Sequence, residues 1–230
     1  MCQHGFVSAR RVVCFLGCGA LMWAPFTMSS AHAAPCPDIE VVFARATTEP
    51  PGVGQVGQAF VDSLRSQVGN RSVAVYAVDY PASEDFTNSA SAGADNARAH
   101  VQAMAANCPA TRVVLGGYSQ GALAIDLTTA IPLSMAGFTP APIPPEVADH
   151  VAAVAVFGNP LDRYIGMPLT AVSPSYADRT IDVCAAGDPI CLPAGGMSTP
   201  TREEMFSDAH LSYVKSGLAS QGAGFAAGRL

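Results

Sequence analysis

Gly117-Tyr118-Ser119-Gln120-Gly121 is the stretch of this chain best suited to chemistry. Arg112-Val113-Val114-Leu115-Gly116 before it is short, apolar and rich in β-branched residues, as a strand would be. Ala122-Leu123-Ala124-Ile125-Asp126-Leu127 after it is good helix material. A Gly-x-Ser-x-Gly between a strand and a helix puts a serine hydroxyl on a sharp turn. The hydroxyl then lies beside a helix N-terminus, where backbone N–H groups favour negative charge. The flanking glycines remove Cβ atoms that would clash in such a turn. The bare motif also occurs in ordinary strand-to-helix turns; its flanking elements make Ser119 a candidate nucleophile.

A serine needs a base within hydrogen-bond reach and a carboxylate to orient that base. On this kind of sheet the partners follow in the order Ser, Asp or Glu, His. His150 and His210 are the histidines downstream of Ser119. His150 immediately precedes the apolar run Val151–Phe157 and would enter that strand at the end away from the site. His210 follows the last expected strand, so it is the expected base. The candidate acids are Asp162, Asp178, Asp182, Asp188, Glu203, Glu204 and Asp208. Asp162 and Asp178 read as solvated loop residues, and Asp182 is mid-strand. Glu203, Glu204 and Asp208 surround a helix start, where acids suit the macrodipole. Asp188 lies between Cys184 and Cys191 and is followed by Pro189. A cystine and a proline would fix it, and fixed geometry is what an orienting carboxylate needs. The bland alternative is an Asp-Pro turn residue.

The positioning elements follow from periodicity. Strands are expected at 39–44, 72–80, 113–116, 151–157 and 180–184, and helices at 56–68, 89–107 and 122–131. A short turn or helix is expected at 147–150, and loops at 132–145 and 159–174. A terminal helix is expected over 207–230, with Leu211, Val214 and Leu218 inward. Strands alternating with helices predict an α/β fold with a mostly parallel sheet.

Residues 1–33 have the layout of a cleaved secretory signal peptide: Arg10-Arg11, an uncharged apolar run, then Ala31-His32-Ala33. Pro25 and the shortness of that run argue against an anchor, and no later segment is apolar and long enough to span a bilayer. Residues 34–230 then form a single catalytic domain. The formal net charge is −6 and becomes more acidic once Arg10 and Arg11 leave. Lys215 is the sole lysine, which argues against nucleic acid or an anionic membrane as partner. Of seven cysteines, Cys36, Cys108, Cys184 and Cys191 remain after the leader. An even number in an exported chain implies disulfides, here with three pairings open. Cys184 and Cys191 can close a small loop. Cys36 and Cys108 precede strands whose starts share one edge of a parallel sheet, so they can meet. Zinc fits the spacing poorly.

Together these residues resemble the cutinase family of serine esterases, in particular its exported actinobacterial members. The likeness rests on Phe43-Ala44-Arg45-Ala46-Thr47-Thr48-Glu49, the Ser119 elbow, the Cys184–Cys191 aspartate loop and His210. It covers the whole of residues 34–230. It implies a small three-layer α/β-hydrolase with a five-stranded sheet flanked by helices. It implies Ser119, Asp188 and His210 as catalytic residues and disulfides Cys36–Cys108 and Cys184–Cys191. It also implies an oxyanion hole from Thr47 and the backbone N–H of Gln120. Ala46 stands where the family usually has glycine, and its methyl group is expected to constrain the loop that aims Thr47.

The expected function is hydrolysis of short or medium fatty-acyl esters by an exported or cell-wall-associated monomer. Ile165, Met167 and Leu169, with the Pro-rich stretch 132–145, are expected to line the acyl site. No metal or organic cofactor is implied. The expected partner is an ester or lipid small molecule, without nucleic acid or stable membrane insertion. Two rivals stand beside this reading: a binding or antigen-like protein of the same fold, which Ala46 favours, and an acetyl-polysaccharide esterase.

Overall fold

A computed structural model describes residues 35–129, 137–192 and 198–230. The expected signal peptide lies outside the described residues. So do the start of the Pro-rich stretch, residues 130–136, and residues 193–197.

The chain alternates strand and helix. β1 (Ile39–Ala44), α1 (Gly54–Gln67), β2 (Val73–Ala77), α2 (Phe86–Asn107), β3 (Arg112–Tyr118) and α3 (Gln120–Thr129) come first. α4 (Pro145–Ala148), β4 (Val151–Phe157), α5 (Leu161–Ile165), α6 (Leu169–Val172) and β5 (Thr180–Val183) follow. The last helices are α7 (Arg202–Met205) and α8 (Leu218–Ala227). All sheet pairings are parallel, in the order β2-β1-β3-β4-β5. The carboxyl ends of the strands therefore share one edge, where loops collect catalytic groups.

β1 and β4 are buried along their whole length. Central parallel strands are covered on both faces, so they carry continuous runs of Val, Ile, Ala and Phe. On one face Val42, Leu115, Val154 and Val156 pack against Ala90, Ala94, Ala97 and Val101 of α2 and the apolar side of α3. On the other, Val41, Phe43, Val114 and Phe157 pack against Val56, Phe60 and Leu64 of α1 and Ala219, Ala223 and Ala226 of α8. Every residue of α3 is buried, Asp126 included.

Two expectations are corrected. Segment 159–174 holds α5 and α6, each one turn long and each started by a proline, Pro160 and Pro168. Segment 207–230 is no continuous helix: a 3-10 turn at His210–Ser212 precedes α8, and Gly217 interrupts with φ of 78°. Leu211 and Val214 are consequently exposed and face outward; Leu218 does pack inward. The small residues Ala219, Gly222 and Ala223 form the buried side of α8. Gly222 is needed there, since a Cβ would lie 2.5 Å from the Phe157 ring.

Candidate active site

Ser119 sits between β3 and α3, and its φ of 57° is left-handed although it is not glycine. Such strain persists where surrounding structure over-determines it. Here the flanking glycines do so. A Cβ on Gly121 would lie 2.0 Å from the Ala44 carbonyl oxygen, and one on Gly117 would lie 2.3 Å from that of Gly121. The turn can close against β1 because both Cβ atoms are missing.

His210 Nε2 is 3.0 Å from Ser119 Oγ. His210 Nδ1 is 2.9 Å from Asp188 Oδ2. All three residues are buried. The imidazole is held from several sides. Tyr118 donates its hydroxyl to the His210 carbonyl, and its ring stacks on the imidazole at 4.9 Å between centroids. Beneath it runs the backbone of Gly158, where a Cβ would come within 2.9 Å of Cε1. Asp188 is more tightly fixed still. It accepts from Tyr213 Oη at 2.6 Å and from the Ile190 N–H at 2.8 Å. Burial alone would raise its carboxyl, but the hydrogen bond and charge of His210, with Tyr213 and Ile190, hold it below the usual carboxylate value. Burial and Asp188 itself push the Tyr213 phenol upward, so it stays a donor. Cys184–Cys191 closes the loop around Asp188, and Cys36–Cys108 ties the start of the described chain to the end of α2.

Across from His210 lies the loop after β1. Thr47 Oγ1 is buried, faces the cleft at Ser119 and has no hydrogen-bond partner among the described residues. An orphaned hydroxyl beside a candidate nucleophile is free to donate to an incoming oxygen. Its loop is braced by Arg45, which donates to Glu49 O and Tyr80 O at 2.8 and 2.7 Å. Glu49 in turn accepts from the N–H groups of Ala46 and Gln55 at 2.7 and 2.9 Å. The non-glycine described residues with left-handed φ are Thr48, Ala82 and Ser119. Ala46 is not among them, so its methyl group meets no backbone strain. Gln120 opens α3, where N–H groups lie outside the helix's own ladder. Its carboxamide donates to Ser83 O at 2.7 Å and accepts from Ser89 Oγ at 2.8 Å.

The cleft has Thr47, Thr48 and Glu84 on one wall and Met205, Phe206 and Leu211 on the other. Arg202 joins the walls: it donates to Glu84 at 3.0 Å and stacks over Phe206. Ile165, Met167 and Leu169 do not line it. Leu169 is fully buried in the core, Ile165 packs against that core, and Met167 is exposed. α5 and α6 fold these apolar side chains onto the domain. The described part of the Pro-rich stretch does not reach the cleft either. Phe138, Ala141 and Ile143 join the core, and 141 and 143 bond to the end of α3.

Several roles are not legible in the residues: those of Tyr118, Gly158, Tyr213 and Glu49, and the anchor of α7. Arg163, itself buried, grips Glu204 bidentately at 3.0 and 3.1 Å. Glu204 also completes a capping box with Thr201. A Thr-x-x-Glu spacing at 201–204 is visible in sequence; the reach of Arg163 is not. The Arg163 hydrogen bond, then the Thr201 N–H, lower the Glu204 carboxyl. A lowered carboxyl stabilises above its unfolded value, and that contribution fades as pH falls through the folded one. Glu204→Gln is expected to cost about 2 kcal/mol at neutral pH, read as a shift in the urea midpoint. An unchanged midpoint would mean that α7 is held by other contacts.

A five-stranded parallel sheet with a left-handed serine at the strand-to-helix turn defines the α/β-hydrolase class. The cutinase family model matches residues 35–230. Carboxylesterase Culp1 of Mycobacterium tuberculosis is 51% identical over 216 residues, covering 92% of this chain and 90% of the relative. Phospholipase Culp4 of the same organism is 47% identical over 227 residues, covering 97% and 93%. Among solved structures, Trichoderma reesei cutinase with a phosphonate inhibitor aligns with a TM-score of 0.62 at 31% identity, covering 84% of this chain and 76% of that one. The chain belongs to the cutinase family and is a serine carboxylic ester hydrolase.

Proposed function

We propose that this esterase is exported and cleaves fatty-acyl esters of short or medium chain through Ser119, His210 and Asp188. The observation that carries the reading is the continuous chain of contacts from Ser119 Oγ to His210 at 3.0 Å and on to Asp188 at 2.9 Å. Ser119 Oγ attacks the ester carbonyl carbon and passes its proton to His210 Nε2. Asp188 stabilises the imidazolium and fixes the tautomer with Nδ1–H. The Thr47 hydroxyl and the Gln120 N–H hold the developing oxyanion. His210 then protonates the departing alcohol. Water, deprotonated by His210, attacks the acyl-enzyme; the bond to Ser119 Oγ breaks, His210 returns the proton to Oγ, and the acid is freed.

The apolar wall of Met205, Phe206 and Leu211 favours an acyl chain over a sugar. The names carboxylesterase and phospholipase among the relatives fit the same bond chemistry, and a phospholipid acyl ester is within its scope. Export rests on the leader-like residues 1–33, with two disulfides suited to an oxidising compartment.

A fluorophosphonate probe tests the chemistry, because phosphonylation needs an activated serine. One adduct per chain is expected, on the peptide carrying Ser119. Absence of labelling would return the protein to the binding-protein reading. Rates on p-nitrophenyl esters from acetate to palmitate are expected to peak above acetate; a strict preference for acetate would favour the acetyl-esterase reading instead.

A further inference from the structure

Behind the site lies a second polar cluster that the proposed reaction does not use. Asp126 on α3 is buried, as is Asn159, which follows Gly158 at the end of β4. Asn159 Nδ2 lies 3.4 Å from Asp126 Oδ1 and 3.0 Å from Asp182 Oδ2 on β5. Its Oδ1 accepts from the Leu161 N–H at 2.9 Å. One carboxamide thus ties together α3, β5 and the start of α5. It does so one residue from Gly158, whose backbone forms the floor under the His210 ring. Gly158 also donates its N–H to Val183 O at 3.0 Å.

The charges do not balance. Two carboxyl groups share one amide, and neither has an ion-pair partner among the described residues. Asp126 Oδ2 is buried without any hydrogen-bond partner among the described residues. An ionised carboxylate so placed would keep the full desolvation penalty and the repulsion of its neighbour; a neutral acid avoids both.

We propose that Asp126 is held as a neutral carboxylic acid and that, with Asn159, it is a positioning residue: the Asp126–Asn159–Asp182 chain fixes the Gly158 turn that seats His210. The groups facing it are Asp182 from β5 and the Asn159 amide from the turn after β4; Asp162 of α5 acts on Asp182. Burial, then Asp182, raise the Asp126 carboxyl well above its ordinary value. Burial raises Asp182 to about 6, against the Asn159 hydrogen bond. Both shifts favour the uncharged acid over the carboxylate, most strongly at Asp126. A raised carboxyl stabilises the fold fully below its unfolded value, and that contribution is lost as pH rises through the folded one. Alkali thus strains the cluster by forcing charge into it, and the strain reaches His210 through Gly158.

The protonation half stands apart from any enzymatic reading; the positioning half rests on His210 being the base. Both are tested with the full exported chain and Asp126→Asn, which copies the neutral acid's shape. The infrared difference spectrum between wild type and D126N at pH 7 is expected to show the carbonyl stretch of a neutral carboxylic acid. Its absence overturns the proposal whatever the activity does. The gain in thermal midpoint of D126N over wild type is expected to be near zero at pH 4 and on the order of 5 °C at pH 8. A difference independent of pH would reduce the cluster to ordinary packing and overturn the linkage. For positioning, Asn159→Ala is expected to lower kcat roughly tenfold with KM little changed. D126N is expected to carry the alkaline fall in kcat to higher pH. Coincident wild-type and D126N pH profiles overturn the positioning role. Should neither protein turn over any ester, the proposed function has failed, while the infrared band and the midpoints still decide the state of Asp126.

Discussion

Ser119→Ala is expected to lower kcat/KM for p-nitrophenyl butyrate by about 10⁴- to 10⁶-fold, with the fold intact. The expectation rests on the elbow. The proposed reaction begins at Ser119 Oγ, and Thr47 Oγ1 in the same cleft has no hydrogen-bond partner among the described residues to serve as its base. Alanine keeps the Cβ and adds nothing to the turn, where the tight approaches are made by Gly117 and Gly121. Folding should therefore survive, as circular dichroism and the urea midpoint would show. The remaining rate would report the oxyanion donors and substrate binding alone. Hydrolysis at the wild-type rate would end the serine mechanism for this site.

Asp188→Asn is expected to cost about 10⁴-fold in kcat. The loss would arise in the imidazole, not in the carboxylate's charge alone. Asp188 Oδ2 now accepts from both His210 Nδ1 and the Tyr213 hydroxyl. A carboxamide puts its N–H₂ at one of the two oxygen positions. At the Oδ2 position it faces both groups: Nδ1 must accept, Nε2 carries the proton, Ser119 loses its base, and the phenol must turn away from its partner. At the Oδ1 position it meets the Ile190 N–H, donor against donor. Low temperature factors at His210 in a crystal of the variant, with the Ser119 contact kept, would favour the tautomer over disorder. Activity within tenfold of wild type would remove Asp188 from the proposed triad.

Much of this was legible in the residues, for identifiable reasons. β1 and β4 end where the sequence predicts because fully buried parallel strands need unbroken apolar runs, and Ile39–Ala44 and Val151–Phe157 supply them. Ser119 was visible because a strained turn demands glycine on both sides. Asp188 stood out because a cystine and a proline bracket it. What stayed hidden depends on tertiary contact. α5 and α6 are single turns in a Pro-punctuated segment, too short for a periodic signal. Leu211 and Val214 lie at helical spacing, yet the chain spends those positions on a 3-10 turn that presents His210, and both side chains face outward. The apolar residues 165–169 look like a substrate wall in sequence; the core claims Leu169, and Met205 and Phe206 take the wall. Nothing about Tyr213 as a letter reveals that it holds Asp188 from 25 positions away.

The strap carrying Met205 and Phe206 leaves the Asp188 loop and returns at His210. One end is closed by cystine and Tyr213, the other by Tyr118. Arg163 is a shared mooring. It donates to the Pro189 carbonyl beside Asp188 and grips Glu204 of α7, the helix that brings Met205 to the cleft. In the proposed enzyme, appetite and reactivity therefore hang from one guanidinium, and a strap redrawn for a new ester would tug on the carboxylate behind it.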